Sequence, residues 1–356
     1  MDNLTIEPKR KWIFRWIIFI LLFVYLFVHI SYLFRPTPVD RENVAGYYAE
    51  DKNSLDMVYI GGSSTFVYWA PMEAWENYGI ASYDFGYNTM PADTFKSTVE
   101  EALKTQDPSL LVLDLRGFQN RPEHLFEVPI RNYTDSIKYS LNRERLIDKV
   151  VTDDLDTTAD KNKINYHLDI AKYHTRWKEL NENSWQLRNN IKYNPNKGFY
   201  FVPKKSVFSK PDNDNIQTVK PVIKKADKAL TELLEYCKDL KKKVLFVVNS
   251  YIELPEHREK YNYLRERIYE YGFDYINTNE YIKEMNIDYN KDFYDGDHMN
   301  IYGAEKFTDF LAKYIKNKYE LPDRRNNHKY DLWNEYIPTW NQQVKDTKTE
   351  IDNYVE

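Results

Sequence analysis

The chain has 356 residues, a formal net charge of −5 and 42% hydrophobic residues. That length holds one large domain with additions or two modest ones, and that hydrophobic share excludes wholesale disorder. The acidic balance excludes a general nucleic-acid binder, and the single cysteine, Cys237, excludes an intrachain disulfide and a cysteine metal cluster.

The first element is a membrane segment. KRKWIFRWIIFILLFVYLFVHISYLFRP is almost wholly apolar from Trp16 to Phe34, broken by His29 and Ser31. Spanning a bilayer takes about 20 such residues. Lys9, Arg10, Lys11 and Arg15 precede the run, so the positive-inside rule places residues 1–11 in the cytoplasm and everything after Arg35 outside. The segments expected are a transmembrane anchor at 12–34 and a linker at 35–54, opened by the stiff Arg35-Pro36-Thr37-Pro38. A cleaved signal peptide is the rival reading, but the apolar run is too long for one and HISYLFRPTP has no small-residue cleavage site.

Apolar runs then alternate with helical patterns. Leu55–Gly61 reads as a strand, PMEAWENYG as a helix with proline at its start and glycine at its end, and Ile80–Gly86 as a second strand. Pro91–Thr105 is helical, and Ser109–Leu115 is a continuous apolar run of the kind that parallel sheets bury. From about 120 to 218 the alternation breaks into short helical, polar and turn-rich stretches, which predicts an insertion forming a cap or a partner surface. Within it, His174, Arg176 and Trp177 read as packing residues. The helix KALTELLEYCKDL carries Cys237 as a buried structural thiol, and a fourth strand follows at Lys242–Ser250. A charged helix ending at Gly272, the short strand FDYINT and an amphipathic helix over Asn300–Tyr319 complete a domain at 55–320. The polar tail at 321–356, with spaced aromatics, reads as a helix packed on the domain or on a partner. Alternating strands and helices predict a doubly wound α/β fold with a parallel sheet.

VYIGGSSTFVYW points to the chemistry. A strand that stops at Gly61-Gly62 delivers Ser63 and Ser64 to its carboxyl end, where open α/β sheets bind ligands. A serine is a weak nucleophile without a base. Among seven histidines, His298 is the best placed, in KDFYDGDHMNIYGAEKF, between the last strand and the last helix. Asp295 precedes it by three residues, and a turn of that length brings its carboxylate to the ring Nδ1, leaving Nε2 to face the loop after the first strand. Asp297 reads as a solvated turn residue or as support to this pair. No further histidine or carboxylate cluster completes a metal site around them.

On Gly62-Ser63-Ser64, the phrase APMEAWENYGIASYDFG, and Asp295-Gly296-Asp297-His298 followed by Asn300-Ile301-Tyr302-Gly303-Ala304, the chain resembles the SGNH (GDSL-like) hydrolase superfamily. More narrowly it is similar to the membrane-anchored DltD-like branch. The resemblance implies a flavodoxin-like three-layer α/β/α fold. It lays the Gly-Asp-Ser block so that the nucleophile falls on Ser64, with His298 as base and Asp295 orienting it. It implies oxyanion donors at Gly86 and at the Ser64 N–H. The family's third block usually offers an asparagine. LDLRGFQN, Leu113 to Asn120, departs from it, with Arg116 the best-placed donor and Gln119 and Asn120 as alternatives. On their own, Ser64 also reads as a helix-capping turn serine and Arg116 as a structural salt-bridge partner.

The expectation is an extracytoplasmic serine acyltransferase or esterase that needs no cofactor. The resemblance implies O-acyl (acetyl or D-alanyl) groups on a cell-surface polysaccharide or teichoic acid, and work beside a membrane-bound O-acyltransferase. The alternative is a non-catalytic scaffold or glycan-binding partner of that acyltransferase, for which the 31 tyrosines offer a groove lining.

Overall fold

The computed structural model describes residues 7–354, with side chains described from Lys11. The expected cytoplasmic segment 1–11 therefore falls largely outside the described residues.

Five strands form one parallel sheet: β1 (Met57–Gly61), β2 (Ser82–Gly86), β3 (Leu110–Asp114), β4 (Lys243–Val248) and β5 (Asp274–Asn277), in the order β2-β1-β3-β4-β5. Each lies within one of the five apolar runs, because strands buried on both faces need no polar alternation. Successive residues serve opposite faces. Val58 and Ile60 join one core with Leu111, Leu113 and Phe246, while Met57 and Tyr59 join the other with Leu110, Val112 and Leu245. A two-stranded antiparallel hairpin, β6 (Phe293–Asp295) and β7 (His298–Met299), stands apart from the sheet.

The helices in chain order are α1 (Glu7–Phe34), α2 (Val39–Tyr47), α3 (Ser63–Phe66), α4 (Pro71–Tyr78), α5 (Phe95–Ala102), α6 (Arg116–Gln119), α7 (Glu127–Ser136), α8 (Leu141–Val150), α9 (Ile164–His167), α10 (Asp169–Tyr173), α11 (Glu182–Gln186), α12 (Lys224–Leu240), α13 (Pro255–Glu270), α14 (Ile301–Tyr319) and α15 (Asp331–Asp352). Helices α5, α12 and α13 cover one face of the sheet, and α14 covers the other. The result is an α/β architecture with helices on both sides of a parallel sheet, preceded by one apolar helix. Cys237 lies on the buried face of α12, where burial pushes its thiol up to about 12 and leaves it unreactive. The tail helix α15 packs on α4 and α14, with Trp75 stacked on Tyr330 at 5.3 Å and Trp333 at 5.1 Å from Trp75.

Two segments differ from expectation. The linker is not an extended spacer, since Val39–Tyr47 is helical and seven of its nine residues are buried. Arg41 drives this: its guanidinium donates to the carbonyls of Tyr32 (2.7 Å), Leu187 (2.8 Å) and Arg35 (3.1 Å) and to Asn190 Oδ1 (2.8 Å). The insertion, too, does more than cap. Helix α7 packs on α2, and α10 and α11 pack on the end of α1. At their junction Asp169 is fully buried between Arg35 (2.6 Å) and Arg143 (2.9 Å). Burial alone would raise the Asp169 carboxyl, but the two guanidinium groups outweigh it and hold it below its ordinary value.

Candidate active site

In the order β2-β1-β3, the crossover from β2 to β3 passes over β1, which opens a crevice at the carboxyl ends of β1 and β3. The chain must come close to itself there. A Cβ on Gly61 would lie 2.2 Å from Thr65 Oγ1, and one on Gly86 would lie 2.0 Å from the Gly61 carbonyl oxygen. Glycine at both positions lets β1 turn straight into the single turn of α3, with Gly62 as its N-cap.

The first residue of that turn, Ser63, faces His298, and Ser63 Oγ lies 2.7 Å from His298 Nε2. The other ring nitrogen, Nδ1, lies 2.9 and 3.0 Å from the two Asp295 carboxylate oxygens. Hairpin pairing sets this contact, since Asp295 and His298 are directly opposite in β6 and β7. Asp295 Oδ1 also accepts the Asp297 N–H at 2.8 Å. Partial burial would raise the Asp295 carboxyl, but the bond from His298 and the charge of its ring hold it below its ordinary value. An Nδ1–H donated to Asp295 leaves Nε2 free to accept the Ser63 hydroxyl proton. Tyr294 stacks on the imidazole at 5.2 Å and keeps the ring in plane.

Ser64 corrects the expected assignment. Its Oγ donates to Asp114 Oδ2 at 2.6 Å, and the residue is 1% exposed. Successive residues of a helical turn point about 100° apart, so Ser63 and Ser64 cannot both face His298. Because β1 ends at Gly61, the phase of α3 points Ser63 into the crevice and Ser64 toward the end of β3. The turn is at Gly61-Gly62 as expected, and the Gly-x-Ser block that meets His298 is Gly61-Gly62-Ser63, one residue earlier than the resemblance laid it. Asp114 in turn accepts the Arg116 N–H at 3.1 Å; burial raises its carboxyl, opposed by these two bonds.

The crevice widens into a cleft of about 360 Å³ lined by Gly62, Ser63, His298, Asp114, Arg116 and, from the start of the insertion, Leu125 and Phe126. Gly86 is not among its lining residues, because the register Gly61↔Gly86 keeps it in the β-ladder. The loop that follows it, Thr89 to Pro91, lines the cleft instead. There Thr89 takes the left-handed conformation (φ 54°), an uncommon state for a β-branched residue. The Met90 nitrogen lies 3.7 Å from the Cβ position of Gly62. Among the described residues, the Met90 N–H has no hydrogen-bond acceptor.

Arg116 reaches the cleft but is held by Asp297, whose carbonyl accepts from Nη1 at 2.7 Å and whose carboxylate accepts from Nη2; the guanidinium lies 4.4 Å from the Tyr251 ring centre. Of the alternatives, Asn120 lines the cleft and Gln119 does not. The residues missed by sequence reasoning are Ser63 as the partner of His298, Asp114, the Met90 backbone and the Arg116–Asp297 link. An aspartate closing the apolar run LLVLD was the one signal available for Asp114.

The fold and crevice define a parallel five-stranded α/β domain of order 2-1-3-4-5, an arrangement consistent with flavodoxin-like and SGNH-like folds. Comparison of the chain with protein-family models, with curated proteins and with solved structures finds no match.

Proposed function

We propose that this chain is a membrane-anchored serine acyl-transfer enzyme of SGNH type, with Ser63 as nucleophile, His298 as general base and Asp295 as the group that orients it. The observation that carries the reading is the continuous chain of contacts Ser63–His298–Asp295 at the β1/β3 crevice. Ser63 Oγ attacks the carbonyl carbon of an ester or thioester while Nε2 takes the hydroxyl proton. Negative charge gathers on the carbonyl oxygen, where the Ser63 and Met90 N–H groups are available as donors and the Arg116 charge is near. Collapse of the tetrahedral intermediate breaks the bond to the leaving oxygen or sulfur, which receives the proton from Nε2. An acceptor hydroxyl then loses its proton to His298 and attacks the acyl-serine; collapse breaks the bond to Ser63 Oγ, which takes the proton back from Nε2 and is free again.

We assign the acceptor to a cell-surface polysaccharide or teichoic acid hydroxyl and the acyl group to a small one, acetyl or D-alanyl, supplied at the bilayer by a membrane-bound O-acyltransferase. Two features support placing the donor there. The apolar helix Lys11–Phe34 has the length of a membrane anchor. The cleft is also tied to the end of that helix, since Asp40 on α2 accepts the Asn88 N–H at 2.6 Å and Thr89 and Met90 line the cleft.

The test is the full chain in detergent micelles with p-nitrophenyl acetate. A stoichiometric burst of nitrophenol, with acetyl on Ser63 by mass spectrometry, is expected, and Ser63→Ala and His298→Ala should both abolish it. A burst that survives both substitutions refutes an enzyme built on this triad and leaves a scaffold. Loss of surface-polymer esters on gene deletion distinguishes transfer from hydrolysis, which would raise them.

A further inference from the structure

Helix α1 is exposed on all sides from Trp12 to Leu26, partly covered by the domain at Phe27–His29 and, past the exposed Ile30, buried from Ser31 to Leu33. At about 1.5 Å per residue those fifteen residues span about 22 Å. A hydrocarbon core of about 30 Å is thicker by about 8 Å, or about five residues, and tilting only widens the gap. The missing length is therefore Phe27–Ser31, and that stretch already carries protein around it. His29 Nδ1 lies 3.2 Å from the Arg188 carbonyl oxygen, and Arg176 Nη1 donates to the Phe34 carbonyl at 2.8 Å. The segment from His174 to Arg188 thus wraps the helix between the levels of His29 and Phe34.

On its outer side this wrap exposes two tryptophans that the domain does not use, Trp177 at 60% and Trp185 at 54%. Cations flank both. Lys178 Nζ lies 5.4 Å from the Trp177 ring centre, and Arg188 donates to the Trp185 carbonyl at 2.8 Å. Paired indoles with adjacent long cationic side chains are the composition of a membrane–water interface, where the ring sits at headgroup depth and the charge reaches outward.

We propose that residues 174–188 form a collar seated in the lipid leaflet on the domain side of the bilayer, with Trp177 and Trp185 at the acyl–headgroup boundary. The proposal rests on the reading of α1 as an anchor. The collar sits at the level where the fully exposed part of α1 ends and its last turns, Phe27–Ser31, complete the span. It also fixes the domain's rotation about α1, because Arg41 ties α2 to the Leu187 carbonyl within the same segment. The crevice is thereby held at a constant orientation to the bilayer rather than swinging on a tether.

The test uses the full chain with Cys237→Ala and one introduced cysteine, labelled with an environment-sensitive fluorophore. It is reconstituted in phosphatidylcholine–phosphatidylglycerol vesicles carrying nitroxide lipids, shallow or deep. Trp177→Cys and Trp185→Cys probe the collar, Phe19→Cys probes the anchor, and Tyr269→Cys on α13 is the aqueous control. Emission at 177 and at 185 should fall severalfold with the shallow nitroxide, Phe19 should respond to the deep one, and 269 to neither. Quenching at Phe19 with none at 177 or 185 overturns the collar and leaves the anchor. No quenching at Phe19 overturns the anchor reading itself.

Discussion

Exchanging the two neighbouring serines separates nucleophile from support. Ser63→Ala removes the atom that contacts His298 Nε2 at 2.7 Å, and without it no acyl-enzyme forms. Loss of a triad nucleophile costs roughly 10⁴- to 10⁶-fold in turnover, or about 5–8 kcal/mol of transition-state stabilisation. Stability should change little, because Ser63 is only partly buried and fills no core space. Ser64→Ala acts on the other quantity. It deletes a fully buried bond of 2.6 Å and leaves Asp114 Oδ2 without its donor. A hydrogen bond to a charged group contributes about 1.5–3 kcal/mol. At about 2–4 °C per kcal/mol for a domain of this size, the melting temperature should fall by roughly 3–12 °C. The assay pairs the ester burst with thermal unfolding of the same preparations. A Ser64→Ala protein with normal stability and no burst, beside a Ser63→Ala protein that still acylates, would refute the assignment and return the nucleophile to Ser64.

Other substitutions test the surroundings. Asp295→Asn should lower turnover by about 10⁴-fold, since the amide favours the wrong imidazole tautomer, with rates measured at saturating ester. The folded Asp295 carboxyl is held below its ordinary value, so its contribution to stability is complete above the unfolded value and fades as pH falls through the folded one. The stability difference between wild type and Asp295→Asn should therefore shrink as pH is lowered from about 5 toward 2, which denaturant titrations would show. Asp169→Asn removes the buried charge that Arg35 and Arg143 share, leaving Arg143 only the partly exposed Glu144, and should destabilise the domain by about 3 kcal/mol; an unchanged melting temperature would remove the basis for a locked junction at the end of α1. Arg116→Ala should reduce kcat/KM by about tenfold, or ~1.4 kcal/mol, and no change would confine Arg116 to a structural tie with Asp297.

Much of the sheet was legible because its strands are buried on both faces. LDMVYIG, SLLVLDL and KKVLFVVNS are continuous apolar runs between turn residues, and each became a strand. The proximity of Asp295 and His298 was legible from three-residue spacing, because a hairpin turn is a local structure. The apolar N-terminal helix announced itself by length and composition. Other features needed the tertiary structure. Which serine meets His298 depends on the phase of one helical turn, and that phase follows from where β1 stops against Asp114 on β3, a contact distant in sequence. The burial of Arg35, Arg41, Arg143 and Asp169 ran against the polar reading of their segments, since charged groups enter a core only when distant partners satisfy them. Sequence by itself thus determined the elements whose signals are local: the strands, the hairpin pair and the apolar helix. Only the folded chain decided which serine meets His298 and that the linker is buried, because each depends on side chains brought together across fifty or more residues.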